Sequence, residues 1–240
     1  MAEAAASRLP LPQHAPTNVD IKRRSVELLV MELGLAPRRR GRPPKSAGGY
    51  SETRDALVRA GVVALTEKGF SATGIEEILQ QLGVPKGSFY HYFGSKEAYG
   101  SELIGSYATY FAKRLDAVFL DESRTPLDRM REFTIGADAG MARFGYTRGC
   151  LIGNLGQEMN ALPESFRKQL VDVFSDWQHR TAQCLRRAVT AGQIVPTHDC
   201  DQLAAFFWIG WEGAVLRAKL EHNGEPLRTF AAGFFSLLQR

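Results

Sequence analysis

The stretch from Thr73 to Lys96, TGIEEILQQLGVPKGSFYHYFGSK, constrains this chain more than any other. Ile75, Ile78, Leu79 and Leu82 recur at the i, i+3, i+4, i+7 spacing of a one-sided helix. Thr73 followed three residues later by Glu76 predicts a capping box, each side chain satisfying an amide the helix start leaves open. Gly83 stands where the helix must end in a left-handed residue, which costs glycine no Cβ strain. Pro85 marks the start of a second short helix, where a missing N–H costs nothing. Phe89 and Phe93 give that helix an inner face, and Lys86, Ser88, Tyr90, His91 and Tyr92 point elsewhere. A helix so short and polar has little reason to exist as core, but presented to a DNA major groove it has one.

Charge is distributed unevenly. Residues 1–50 carry nine Lys/Arg against four Asp/Glu, while the rest of the chain is close to neutral in a total of +4. That pattern argues for local contacts with nucleic acid and against a whole-protein electrostatic fit. Arg38 to Lys45 packs five cations into eight residues around an Arg-Gly-Arg-Pro core containing Arg40 and Arg42. An extended Arg-Gly-Arg suits an A·T-rich minor groove, although a basic run can equally be a solvated tail. We read 1–50 as an arm in which Ile21 to Leu33 can form a short helix.

Three scattered cysteines, Cys150, Cys184 and Cys200, are too few for a disulfide scaffold or a zinc site. No apolar run reaches transmembrane length, and the start lacks a signal-peptide core, so the expectation is a cytoplasmic protein without membrane contact. No cofactor is implied by any motif, and neither a metal-ligand spacing nor a nucleophile elbow supports an enzyme.

From Ser51 onward the chain reads as all-α. Ser51 is expected to cap a first helix ending at Gly69, and Ser95 a fourth running to about Leu120. Thr125-Pro126-Leu127-Asp128 opens a fifth that ends near Gly145, Arg148 to Asn160 forms a sixth, and Pro163 opens a seventh that ends at Gly192. Asp199 caps an eighth to about His222, and Leu227 to about Gln239 makes the ninth.

Residues 51–240 resemble the TetR family of bacterial transcriptional regulators. The resemblance rests on Thr73-Gly74-Ile75-Glu76-Glu77-Ile78, Leu82 to Phe93, and Ser95-Lys96-Glu97-Ala98, with Leu79 and Tyr99 as mild departures. It implies a three-helix helix-turn-helix head (51–96) and a six-helix ligand-binding and dimerisation body (97–240). It also implies a homodimer built from the last two helices, which would read a palindromic double-stranded operator. The apolar residues Phe206, Phe207, Gly210, Trp211, Ala214, Val215 and Ala218, with Phe230, Ala231, Phe234, Phe235 and Leu238, agree with such a face. By position in the signature, Lys86, Gly87, Ser88 and partly Tyr90 fall at base contacts; His91, Tyr92, Lys96 and Thr73 fall at phosphates.

A separate segment, Thr147 to Glu158, carries Cys150 where a helix begins, with Arg148 two residues away. Both features favour a reactive thiolate. Together with Trp208-x-Gly210 and Lys219, this segment resembles a branch of the family that senses electrophiles or small unsaturated acids such as acrylate. The small-molecule inducer would then meet Cys150, with Asn154 and Glu158 able to orient it and Tyr107, Phe111, Trp208 and Trp211 able to line a pocket. Each has a plainer reading: Cys150 as a small buried hydrophobe, the aromatics as core, Asn154 and Glu158 as partners of local backbone. Lys219 can hold a ligand carboxylate, approach Cys150 or snorkel at a rim. The alternatives are an activator or a DNA-architectural protein without ligand sensing and, last, a helical enzyme.

Overall fold

The computed structural model describes residues 47–238, with side chains from Glu52 onward. The predicted arm contacts of Arg40 and Arg42 and the helix at Ile21 to Leu33 lie outside the described residues. Among those described there are nine α-helices and no strand: α1 Ala47–Lys68, α2 Ile75–Leu82, α3 Lys86–Phe93, α4 Lys96–Phe119, α5 Pro126–Ala142, α6 Leu151–Gln157, α7 Glu164–Thr190, α8 Cys200–Glu221 and α9 Glu225–Leu237.

Most boundaries follow from local chemistry. Gly83 takes the left-handed conformation at φ 64° and ends α2. Ser95 caps α4 by accepting from Ala98 N. Thr125 and Asp199 cap α5 and α8 in the same way, with Pro126 in the first turn of α5.

Three expectations need correction. The first helix is Ala47–Lys68, so Ser51 lies inside it and not at its start. Thr73 does not cap α2: its hydroxyl donates to Gly69 O at 2.6 Å, and Gly74 holds the cap position with no side-chain bond. The sixth helix is only Leu151–Gln157, followed by a 3-10 turn at Met159–Ala161. Gly153 and Gly156 weaken that segment as a helix, and Cys150 takes an extended conformation at its cap.

α1 to α3 close over Leu57, Ile78, Leu79 and Phe89, all nearly or wholly buried. Tyr99 of α4 completes this core. Its ring packs 5.1 Å from Phe89 and 4.7 Å from Phe93, and its hydroxyl donates to Leu57 O across the bare Cα of Gly61.

In the body, Phe111, Phe133, Trp177, Phe207, Trp208 and Trp211 form one continuous aromatic cluster. Each fully buried large side chain there contributes roughly 2–3 kcal/mol. Trp208 Nε1 donates to Thr181 Oγ1 at 2.9 Å, which fixes α8 against α7.

α9 packs on α8 by inserting Phe230 against Gly210, where a Cβ would stand 2.1 Å from the ring. This revises the composition of the apolar face. Phe207, Trp211, Ala214, Val215 and Ala218 belong to the chain's own core, and Gly210 serves the α8–α9 contact. What α8 leaves exposed is a stripe of Phe206, Ile209, Leu216 and Leu220, with Ile209 and Leu220 about three-quarters exposed at 73% and 75%. No helix among the described residues is long and apolar enough to cross a membrane.

Candidate functional site

Two groups of residues suggest function. The first is the outer side of α3. Lys86, Gly87, Tyr90 and His91 are exposed and Ser88 and Tyr92 partly so, while Phe89 and Phe93 turn inward. Lys86 Nζ rests on Glu76 Oε1 at 2.7 Å, an exposed pair that solvent screens and a better acceptor can replace. Lys96 has a structural tie: its Nζ donates to Phe70 O at 3.2 Å and lies over the Phe70 ring. Thr73 is buried and its hydroxyl is engaged with Gly69, so the expected phosphate contact is not presented by that group.

The second is a cavity between α6 and α8. Gly149, Cys150, Gly153, Asn154, Gln157, Glu212, Val215, Leu216 and Lys219 line it, and its volume is only about 10 Å³. That is room for about one water, so anything larger must displace the exposed mouth side chains Gln157 and Leu216. Of the residues expected at a ligand site, Cys150, Asn154 and Lys219 meet here. Tyr107 lies beside Cys150, and its buried hydroxyl and the thiol influence each other's titration. Phe111, Trp208 and Trp211 do not line the cavity; they are members of the aromatic cluster.

Glu158 is also elsewhere. Its carboxylate accepts from Phe70 N at 3.1 Å and Ser71 N at 2.7 Å, filling the space a Cβ on Gly69 would need. Gly69 sits at φ +76°, so both conformation and contact require glycine.

The thiolate expected at Cys150 is overturned. Cys150 is the cap residue of α6, and Gly153 N–H points at its Sγ at 3.5 Å. That amide and the Tyr107 hydroxyl, which both favour the thiolate, are outweighed by burial and by the neighbouring Glu212 carboxyl, which together push the thiol well above its ordinary pKa. Arg148 gives no help, since its Nε pairs with Glu67 at 3.0 Å and its guanidinium lies over the Phe144 ring.

Glu212 itself is the residue that motif reasoning missed. Burial pushes its carboxyl up to about 7. The available signal was compositional: it is the one charge between Leu203 and Leu216, an otherwise apolar run of α8. Burial also lowers the pKa of Lys219, against the opposing pull of Glu67 and Glu158.

The cavity is joined directly to the end of α1, where a helix leaves its last carbonyls without internal partners. Asn154 Nδ2 donates to Leu65 O at 2.9 Å and to Thr66 O at 3.0 Å. Gly149 N donates to Thr66 O at 3.0 Å, and Lys219 Nζ reaches the same oxygen at 3.4 Å. Three cavity residues therefore hold the last turn of the helix from which the α2–α3 unit hangs.

The other cysteines have plain packing roles. Cys184 is buried against Pro126 O, and Cys200 lies near His198 O. Among the described residues no group of three His, Cys, Asp or Glu side chains is gathered as a metal site.

Residues 57–98 match the model for bacterial regulatory proteins of the tetR family, and residues 126–234 match the tetracyclin repressor-like C-terminal domain. The chain is 55% identical over 196 residues to the transcriptional regulator AcuR of Cereibacter sphaeroides, covering 82% of this chain and 89% of that protein. It is 32% identical over 185 residues to the HTH-type transcriptional repressor DhaR of a Mycobacterium species, covering 77% and 91%. The crystal structure of a regulatory protein TetR from Rhodobacter sphaeroides superposes with a TM-score of 0.75 at 55% identity, over 76% of this chain and 96% of that one.

Proposed function

The chain belongs to the TetR family of bacterial transcriptional regulators, and on that premise we propose that it is a cytoplasmic, homodimeric repressor released from a palindromic operator when a small electrophile or unsaturated carboxylate such as acrylate reaches Cys150. The observation that carries this reading is the cavity itself. A thiol, a cation and an amide converge in it, and Lys219 and Asn154 also grip the end of α1. An anion that draws Lys219 toward itself weakens that grip, and a covalent adduct at Cys150 does so by volume. Either route favours a second head arrangement only because the ligand binds the two arrangements unequally.

In this reading α3 enters the major groove. Lys86 gives up Glu76 for guanine O6 and N7, Gly87 lets the backbone approach, and Ser88 and Tyr90 reach base edges. His91, Tyr92 and the remaining donors of Lys96 address phosphates. The arm, with Arg40 and Arg42, adds sequence-independent attraction, so removing residues 1–45 is expected to flatten the salt dependence of binding. The exposed stripe of Phe206, Ile209, Leu216 and Leu220 supports pairing of two copies through α8 and α9.

The test is a gel shift with DNA from upstream of the gene, challenged with acrylate, N-ethylmaleimide and hypochlorite. Release by at least one of these in the native protein, and loss of electrophile release in Cys150→Ser, is the expected result. Retained release by a carboxylate in Cys150→Ser would favour reversible binding at Lys219. Release by all three in Cys150→Ser, undiminished, would contradict the assignment.

A further inference from the structure

Cys150 is buried and its thiol stays protonated near neutral pH, whereas it is the thiolate that attacks electrophiles. Any reaction there needs a proton acceptor within reach of the sulfur. Lys219 is directed at Thr66 O. Tyr107 is a phenol whose buried hydroxyl is held firmly protonated. The Glu212 carboxyl is differently placed, because it enters over the bare Cα of Gly153. A Cβ at that position would stand 2.1 Å from Glu212 Oε2 and 3.7 Å from Cys150 Cβ. Gly153 thus opens the passage between carboxyl and thiol, while its own N–H points at the sulfur on which negative charge would develop.

We propose that Glu212 accepts the Cys150 proton as the sulfur attacks a small electrophile, which makes the cavity a reactive centre as well as a receptor; this rests on the reading of Cys150 as the sensing residue. With an α,β-unsaturated acceptor, the sulfur forms a bond to the β-carbon and the C=C electron pair moves to the α-carbon. The thiol proton passes to Glu212, which then returns it to the α-carbon. The net change is addition of S–H across the double bond, without leaving group or oxidant.

The ionisable groups facing Glu212 are Cys150 at the α6 cap and Tyr107 of α4; Lys219, two turns along α8, lines the same cavity and faces Glu67 and Glu158. A carboxyl pushed up to about 7 has the basicity this task requires at neutral pH.

The experiment follows adduct formation on the full chain with N-ethylmaleimide, a neutral acceptor that Lys219 does not attract, by intact-protein mass spectrometry between about pH 5.5 and 9. The native rate is expected to rise through an inflection near 7. Glu212→Gln is expected to react on the order of 100-fold more slowly at pH 7 and to lose that inflection. Gly153→Ala, whose Cβ would displace the carboxyl, is expected to slow the reaction as well, and thermal melts confirm that both variants fold. A Glu212→Gln protein that reacts as fast as native, or faster, would overturn the proposal, since the carboxyl would then only repel the thiolate. Labelling undiminished in Cys150→Ser would overturn the sensing assignment itself by placing the reaction at another cysteine.

Discussion

The outer side of α3 and the cavity between α6 and α8 solve opposite problems. α3 turns its polar groups outward and keeps them loosely engaged, as in the exposed Lys86–Glu76 pair, so that a stronger acceptor can take them over. The cavity turns a thiol, a carboxyl and an ammonium inward, where burial shifts each away from its ordinary titration. On the proposed reading, DNA binding at α3 should therefore depend on salt and small-molecule sensing at the cavity on pH. The link between them is short, since Asn154, Gly149 and Lys219 all end on the carbonyls of the last turn of α1.

The strongest way to break this contrast is through Glu212. Its carboxyl ordinarily titrates near 4.5 and in the folded chain near 7, so between those values the folded state holds a proton that the unfolded chain has released. Stability should fall as pH rises through this window, and Glu212→Gln should remove the slope and gain roughly 2–3 kcal/mol at pH 8. Urea melts at pH 5, 6, 7 and 8 measure it. Parallel curves for the two proteins would show that the carboxyl is solvated.

Lys86→Ala should show the converse. Operator affinity falls by about 1–3 kcal/mol with relaxed preference at one base pair, while the stability profile against pH is unchanged. Gel-shift competition across single-base operator variants measures the first effect, and an unaltered preference would remove Lys86 from the reading set.

The smallest effect tests the link. Glu158→Ala removes the acceptor of Phe70 N and Ser71 N; Glu158 does not line the cavity and reaches it only through its pull on Lys219. For a neutral inducer such as N-ethylmaleimide it should change binding in the absence of DNA little, yet lower the factor by which inducer weakens operator binding, by about 1 kcal/mol. Calorimetric titration of inducer with and without operator reads the same factor from the other side.

The head was legible because its signals are local. The spacing of Ile75, Ile78 and Leu79 needs no knowledge of the rest of the chain, and all three are buried as that spacing demands. Gly83 ends its helix for a reason contained in its own backbone angles. Even there the reading failed where a competing acceptor mattered, since Thr73 bonds back to Gly69 instead of capping α2.

In the body, Cys150, Asn154 and Lys219 do line one cavity, but the electrostatics around the thiol differ from the sequence expectation. The sequence places Arg148 two residues from Cys150, whereas the fold sends that side chain to Glu67 and Phe144 and brings in Glu212 from α8. Helical spacing cannot distinguish a cavity-facing ring from a core ring, so Trp208 and Trp211 read equally as pocket wall and as core. The spacing of Glu158 likewise says nothing of its partners, Phe70 and Ser71, which lie far upstream in the chain.

The most direct test of the account is the operator affinity of the same protein before and after Cys150 is converted to its N-ethylmaleimide adduct. Fluorescence anisotropy on labelled operator DNA gives the affinity, and mass spectrometry confirms one adduct per chain. The account predicts operator binding weakened about 5- to 150-fold by the adduct, with Cys150→Ser unaffected by the same treatment. Equal affinity of the modified and unmodified protein would contradict it.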